Sequence, residues 1–241
     1  MRGIQVVVVA VTFAVVPAHA YRPLATEDTG TTEPGRADFE LSVDVEHAEA
    51  TVGAARVVVG TGITPALEVR VETGVGAVDT PGERGRAGVT DSIVGLKHRL
   101  LDESAHRPAV LAAVTVRVPT AGGREGLGED GVDVTVLAAA SKTFGPLAVL
   151  MNAGHAFVTA DSAQSGWLAS AAADYSVSDA FSIVSEVVSS FGTRGTRDSV
   201  VLRAGAIGRV ASSIALDAAV GFGVTRGSPD LQITVGLTIG W

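Results

Sequence analysis

The stretch Leu231-Gln232-Ile233-Thr234-Val235-Gly236-Leu237-Thr238-Ile239-Gly240-Trp241, at the end of the chain, decides the fold. Its odd positions are all apolar, and its even positions are all small or polar. Because successive residues of a β-strand point to opposite faces of the sheet, this pattern predicts a strand with one apolar and one polar face. The apolar face ends on an aromatic side chain. The stretch therefore predicts an all-β domain whose sheet is apolar on one side.

The beginning of the chain has the pattern of a secretory signal peptide. A positively charged start is followed by the apolar run Ile4–Val16, and Ala18-His19-Ala20 is a typical cleavage site. The run is too short to cross a membrane as a helix. We therefore expect residues 1–20 to be a signal peptide that directs export and is removed, residues 21–36 to form an extended periplasmic lead, and residues 37–241 to form the folded domain.

The composition disfavours several classes of protein. The chain has no cysteine, which excludes disulfides and thiolate metal sites. Its formal net charge of −8 argues against a nucleic-acid partner. Lys97 and Lys142 are the only lysines among 18 basic residues, although soluble β-proteins use lysine to protect their exposed strand edges. The composition therefore disfavours a soluble β-domain.

Twelve segments are predicted strands of about ten residues, the length that a tilted membrane-spanning strand needs. Short connections alternate with longer ones rich in glycine, proline and charge, and Asp102–Arg107 is the exception. An even-stranded barrel with both chain ends on one side has this arrangement. The predicted strands are 37–46, 52–60, 65–77, 91–101, 108–119, 131–142, 146–158, 165–177, 180–191, 198–210, 213–224 and 231–241.

Aromatic residues separate a barrel from a soluble β-sandwich. A sandwich places its bulky rings in mid-strand, where they fill the core, whereas a transmembrane barrel gathers them at the two membrane–water interfaces. The aromatic residues after Tyr21 all fall near a predicted strand end. We therefore predict an all-β fold, a twelve-stranded antiparallel transmembrane β-barrel. These aromatic residues are Phe39, Phe144, Phe157, Trp167, Tyr175, Phe181, Phe191, Phe222 and Trp241.

Several short motifs carry a resemblance to one family. Arg22–Gly30, then Glu33-Pro34-Gly35-Arg36, and later Val118–Gly122, Ser141-Lys142 and Asn152–His155, are similar to the outer-membrane β-barrel proteins associated with the meta-cleavage pathway of phenol degradation. The resemblance covers most of the chain. It implies location in the cell outer membrane and a channel or transporter role, and it is the sole basis for expecting an aromatic or hydrophobic solute. It implies no catalytic residues.

The polar faces of the predicted strands would line the lumen of the barrel. They carry eleven acidic and six basic side chains. One interpretation is a charged pore wall that selects what passes. The other is an interior filled by ion pairs, because twelve strands lie between the filled eight-stranded and the open sixteen-stranded barrels. The candidate lumen-lining residues are Glu68, Arg70, Glu72, Asp91, Lys97, Arg99, Arg117, Asn152, Glu186, Arg203 and Asp217.

Other patterns do not support catalysis or a cofactor. Gly126-x-Gly128-x-x-Gly131 has the spacing of a dinucleotide-binding loop, but a strand follows it where such a loop needs a helix. Glu125, Glu129 and Asp130 could hold calcium, yet their spacing matches no ordered calcium loop. No histidine after residue 20 lies two positions from a serine on a shared strand face, so a nucleophilic site would need partners from neighbouring strands. We expect no cofactor, no metal and no enzymatic activity.

Passage of small molecules across the outer membrane is the function that these patterns favour. The alternative is a closed structural or adhesive barrel without conductance, and the volume of the lumen decides between them. A soluble secreted β-domain is the third hypothesis. Expected partners are the lipid bilayer, a small-molecule solute, and the barrel-assembly machinery, which would recognise the last strand with its terminal Trp241.

Overall fold

The computed structural model describes residues 22–121, 127–128, 130–160, 162–192 and 198–241; the predicted signal peptide lies outside them. The strands within these residues form one antiparallel sheet in which most successive strands lie side by side. Alternating segments rich in valine, isoleucine and threonine favour these strands. The strands are β1 (Ala37–His47), β2 (Thr51–Thr64), β3 (Leu67–Asp79), β4 (Arg86–Val89), β5 (Ser92–Leu101), β6 (Ala109–Val118), β7 (Asp133–Phe144), β8 (Leu147–Phe157), β9 (Gly166–Ser178), β10 (Phe181–Gly192), β11 (Ser199–Ala211), β12 (Ile214–Gly223) and β13 (Leu231–Gly240).

The sheet closes on itself to form a barrel. β1 pairs with both β2 and β13, so that Val43 lies opposite Ala55 on one side and Val235 on the other. β4 pairs with the last part of β3 and β5 with the first part, so these two strands share one position around the barrel. The described chain is therefore a closed twelve-stranded antiparallel barrel, and this part of the prediction is confirmed.

The fourth barrel position differs most from the sequence analysis. The sequence predicts a long connection over residues 78–90, but β3 continues to Asp79 and β4 begins at Arg86. Val75 pairs with Val89 in the resulting hairpin. Small residues dominate this hairpin, so the apolar alternation that identifies the other strands is weak here. The sequence pattern of a glycine-rich strand and that of a loop are therefore hard to separate.

The connections at the end of the barrel where β1 begins are mostly two residues long. Gly145 and Pro146 join β7 to β8, and Gly145 has a φ of 61°, which favours glycine because it has no Cβ. A short 3₁₀ turn, Ser162–Gln164, lies between β8 and β9. No helix in the described ranges has the length and apolar character that a membrane crossing requires.

The connection between β5 and β6 is longer than the other turns at the same end of the barrel and is held by contacts to β7. Within it, Ser104 forms a bridge with Arg107. Glu103 accepts hydrogen bonds from Lys142 Nζ at 2.9 Å and from the amide of Thr143 at 3.0 Å. These bonds, that of Lys142 above all, hold the pKa of Glu103 below its ordinary value. The connection is therefore an ordered turn.

The two faces of the barrel wall differ in composition. Val235 is 47% exposed, whereas its neighbour Thr234 is 7% exposed, and similar alternation recurs around the barrel. The outward face carries valine, leucine and isoleucine, and the inward face carries buried charged residues. Leu150, Val201 and Ile207 interrupt the polar face in the sequence, and they are buried. The wall is therefore apolar outside and mixed inside.

Aromatic side chains form two bands on the outer face. One band surrounds the end of the barrel where β1 begins and β13 ends, and the other surrounds the opposite end. His155 belongs to the second band, since its ring centroid lies 4.4 Å from that of Phe157 and 4.8 Å from that of Trp167. The first band contains Phe39, Phe144, Tyr175, Phe181 and Trp241, and the second contains Phe157, Trp167, Phe191 and Phe222.

Candidate functional site

Residues 22–36, which we call the inner segment, lie against the inward face of the barrel wall. The sequence predicts an extended periplasmic lead here, and the structure gives the segment a different position. Pro34 forms a bridge with Gly62 of β2, and the amide of Thr32 donates to Glu68 Oε2 at 2.8 Å. A Cβ atom on Gly62 would collide with the backbone of the segment, so glycine permits this close approach. Buried polar groups of the wall need partners, and the segment supplies them.

The middle of the inner segment is held through both its backbone and its charge. Asn152 on β8 accepts a hydrogen bond from the amide of Glu27 at 2.7 Å and donates one to its carbonyl at 2.8 Å. The Glu27 carboxylate lies 2.8 Å from Lys97 Nζ and 3.4 Å from Arg70 Nη1. Burial alone would raise the pKa of this carboxyl, but the two bases outweigh burial and hold the pKa of Glu27 below its ordinary value. Glu27 therefore places a carboxylate in the lumen.

The first residues of the inner segment bind Glu186 on β10. The amides of Ala25 and Thr26 donate to its carboxylate at 2.9 and 2.8 Å, and the Thr26 hydroxyl donates at 2.7 Å. Arg203 on β11 lies 2.8 Å from the same carboxylate. Leu24 packs against a small apolar cluster of β10, β11 and β12. The inner segment is therefore held by hydrogen bonds to the Glu186 carboxylate and by the apolar contact of Leu24.

Arg22 ties the inner segment to the strands at the barrel closure. Its guanidinium lies 3.5 Å from Asp44 on β1 and 3.6 Å from Asp217 on β12. It also donates to the hydroxyl of Thr234 on β13. Gly236 leaves the room that the guanidinium occupies. With its contacts to β2 and β3 at the other end, the segment crosses the lumen.

Other charged residues pair along the wall. Arg56 on β2 lies 3.1 Å from Asp44 and 3.4 Å from Glu72 on β3. Arg117 on β6 lies 3.7 Å from Asp91 and also pairs with Asp133 on β7. In each group one arginine is shared by two carboxylates from neighbouring parts of the wall, so an excess of acidic groups remains.

The predicted lumen residues thus fall into three groups. Arg99 lies at the turn end of β5, where it pairs with Asp102 at 2.8 Å and donates to the carbonyl of Pro65 at 2.8 Å. Glu72, Asp91 and Arg117 belong to the wall pairs. The structure brings the other seven together around the inner segment. These are Glu68, Arg70, Lys97, Asn152, Glu186, Arg203 and Asp217.

Open space remains in the lumen beside the inner segment. One cavity, of about 520 Å³, borders Glu27 and Arg203 and has a mostly apolar wall. Smaller cavities of about 260, 220 and 200 Å³ border the charged residues. In the described part of the chain, no three histidine or carboxylate side chains are grouped to hold a metal ion. Apolar residues that line the cavity of about 520 Å³ include Ala113, Leu137, Leu168, Val188 and Val201.

The sequence pattern does not reveal the contribution of the inner segment. Arg22 and Glu27 lie outside the predicted strands, so strand alternation gives no reason to place them with the wall. A polar segment before the first strand is equally typical of an exposed lead. Of the weaker motifs, Glu125 and Glu129 lie outside the described residues. The glycine-rich stretch lies partly outside them, and β7 follows it.

A closed antiparallel barrel that is apolar outside and polar inside has the architecture of a transmembrane β-barrel. The chain belongs to the family described as "Putative MetA-pathway of phenol degradation", whose model matches residues 20–241. The resemblance drawn from the short motifs is therefore confirmed. Among curated proteins, none matches the chain.

Several solved structures are similar to the barrel. An outer-membrane channel from Pseudomonas putida F1 aligns with a TM-score of 0.67 and 14% identity over 89% of this chain and 98% of that one. The KdgM porin aligns with a TM-score of 0.61 and 9% identity over 84% of this chain and 98% of that one. The CymD monoaromatic hydrocarbon channel aligns with a TM-score of 0.50 and 8% identity over 87% of this chain and 88% of that one. At these identities the likeness establishes the fold.

Proposed function

We propose that this protein is an outer-membrane channel through which small molecules pass. The observation that carries the proposal is a closed barrel with an apolar outer face and a lumen that holds a cavity of about 520 Å³. Membership of a family assigned to phenol degradation supports it, as does similarity to structures described as channels and porins. Those descriptions favour transport over an enzymatic role.

The outer membrane is the proposed location, with the lipid bilayer as a partner. An apolar outer face between two aromatic bands suits a bilayer and its interfaces. In this proposal, residues 1–20 are the signal peptide that directs export, and β13 with its terminal Trp241 is recognised by the barrel-assembly machinery. The alternating outward residues of β13 support that role.

The cavity of about 520 Å³ supports a solute with an apolar body. Leu137, Leu168, Val188 and Val201 line it, and apolar surface of this kind favours burial of apolar atoms by about 25 cal/mol per Å². A structure described as a monoaromatic hydrocarbon channel shares the fold. We therefore propose small aromatic or hydrophobic molecules as solutes, in keeping with the family. In this proposal, the charged residues on the inward face, Arg99 at the rim among them, line the passage.

A closed structural or adhesive barrel is the alternative function. The ion pairs of the wall and the inner segment narrow the lumen, as that alternative requires. The cavities that remain beside the segment favour passage instead, because an interior filled by side chains would leave no such volume. The difference between the two functions is therefore a difference in conductance.

Planar-bilayer recording on the refolded chain tests the proposal. We expect discrete conductance steps in the folded protein, and uptake of a phenol-sized solute into proteoliposomes faster than uptake of a disaccharide. Folding is checked independently by the shift in electrophoretic mobility on heating that folded barrels show. A folded barrel without steps and without solute uptake would support the closed structural barrel.

A further inference from the structure

Lys97 carries an ammonium group that is buried in the lumen. The residue is 1% exposed, and its Nζ lies 2.8 Å from Glu27 and 3.4 Å from Asp28. Both carboxylates belong to the inner segment and not to a strand of the wall. A buried charge is costly unless it is paired. The inner segment therefore supplies counter-charge to Lys97.

Wall residues around Lys97 complete a mixed cluster of charges. Glu68 lies opposite Lys97 in the register of β3 and β5. Its carboxylate accepts from Thr32 of the inner segment and lies 3.1 Å from Arg70. Glu40 on β1 borders the same cavity as Arg70. The Glu27 carboxylate pairs with both Arg70 and Lys97 and so bridges these two bases.

Glu27 lies where the charged cluster meets the open space. It borders both the cavity of about 520 Å³ and the one of about 200 Å³. On β6, Ala113 is the register partner of Lys97, and Ala113 lines the larger cavity together with Leu137. Lys97 therefore lies beside a residue of the larger cavity's wall, and its ammonium group pairs with the Glu27 carboxylate, which borders that cavity.

We propose that Lys97 and Arg70 form a binding site for the carboxylate of a small solute with an apolar body, and that Glu27 occupies this site as an internal competitor. A solute carboxylate would replace that of Glu27 one for one beside Lys97 and Arg70, and the displaced Glu27 carboxylate would turn into the open lumen that it borders. The apolar body would lie against Ala113 and Leu137. This inference rests on the proposed function, because a solute reaches the cavity through the lumen.

A local movement of the inner segment at Glu27 is enough for a solute to displace the Glu27 carboxylate. The backbone of Glu27 is held by two hydrogen bonds to Asn152, while the contacts of Thr26 with Glu186 hold the segment on one side. Asn152 is therefore a positioning residue that directs the internal carboxylate at Lys97. Loss of Asn152 would weaken the competitor without removing any charge.

Calorimetric titration of the refolded protein in detergent tests this site, with benzoate as probe and benzamide as its uncharged match. If Glu27 occupies the site about nine-tenths of the time, Glu27→Gln should tighten benzoate binding about tenfold, because the competent fraction rises accordingly. Benzamide binding should not change. Lys97→Gln in the Glu27→Gln background should remove the gain. Equal benzoate affinity in the wild type and Glu27→Gln, or an equal gain for benzamide, would overturn the proposal.

Asn152→Ala provides a second test that keeps all charges and does not depend on the folding of the Lys97 variant. It should also tighten benzoate binding and leave benzamide unaffected; unchanged benzoate affinity would count against an internal competitor held by Asn152. The titration requires no conductance. A protein that binds benzoate through Lys97 but conducts nothing would therefore refute the proposed channel and retain the site.

Discussion

Two sectors of the lumen wall use polar groups in different ways. In the charged sector, the inward faces of β1, β2, β3 and β5, acids and bases lie on adjacent strands, as Asp44, Arg56 and Glu72 do. In the apolar sector, the inward faces of β6 to β11, leucine, valine and alanine predominate. Asn152 and Glu186 are polar groups within that apolar surface.

Buried polar groups have different partners in the two sectors. In the charged sector, neighbouring strands supply opposite charges, and cross-strand pairs of this kind stabilise a sheet locally. In the apolar sector, Asn152 and Glu186 bind the backbone of the inner segment. A buried polar group left without a partner costs about 1–3 kcal/mol. Asn152 and Glu186 therefore mark two points in the apolar sector where another part of the chain docks.

The largest expected effect is that of Glu186→Leu. It removes a carboxylate that is fully buried and leaves Arg203 without that charge partner, which should lower the free energy of unfolding by about 3–5 kcal/mol. Glu72→Gln in the charged sector is the matched change. Its partner Arg56 is 43% exposed, and the loss should stay within about 1 kcal/mol. Urea unfolding in lipid measures both, and equal losses would show that the sectors do not differ energetically.

The assignment of inward and outward faces underlies the comparison of the sectors. Val235→Arg places a charge on the outward face and should cost about 2–4 kcal/mol of folding stability in a bilayer. Thr115→Arg places the same charge beside the cavity of about 520 Å³ and should cost much less. If the two losses are equal in lipid, the assigned faces are wrong.

Docking of the inner segment can be weakened without changing any charge. Gly62→Ala brings a methyl group into the segment backbone and should cost about 1–3 kcal/mol, as other overpacked sites do. The conductance of the barrel should rise as the segment moves away. Gly208→Ala is the control, because nothing lies within 4 Å of its added Cβ atom. Matching stability and conductance in the two variants would argue that the segment does not restrict the lumen.

Ion selectivity should depend on the charged sector. Glu46 and Glu72 border the smaller cavities, and an acidic wall favours cations in a narrow passage. The double change to glutamine should therefore reduce cation preference. Leu137→Val in the apolar sector should leave it unchanged. Reversal potentials across a salt gradient provide the measurement, and an anion-selective wild type would contradict the prediction.

The smallest effect concerns the turn between β5 and β6, outside both sectors. The pKa of Glu103 is below its ordinary value, since Lys142 and the amide of Thr143 stabilise the carboxylate. Its contribution to stability is therefore present above the ordinary glutamate pKa of about 4.3 and is lost as the pH falls through the lower folded value. Glu103→Gln should unfold at lower urea than the wild type at pH 7, and this difference should disappear in strong acid. A difference that persists there would rule out the carboxylate as its source.

Local periodicity accounts for the parts of the fold that the sequence predicts correctly. Residues of one strand alternate between faces whatever lies beside them, so the barrel, its strands and the inward position of Glu68, Lys97 and Glu186 follow from spacing alone. The hairpin of β3 and β4 escapes this argument because its small residues do not alternate clearly. The aromatic bands also follow from sequence, since a ring near a strand end lies near a rim of the barrel.

Position along the chain determined which residues face the lumen, but only the tertiary structure decided what they bind. Glu27 and Asn152 are 125 residues apart in sequence, and no strand pattern includes Glu27. The inner segment has the polar sequence of an exposed lead, and it lies in the lumen because buried donors and acceptors of the wall require partners. Pairing between distant groups depends on the closed barrel, which brings nearly all strands within reach of one short segment. The sequence therefore determined the strands and their two faces. The closure of the barrel decided which residues meet in the lumen.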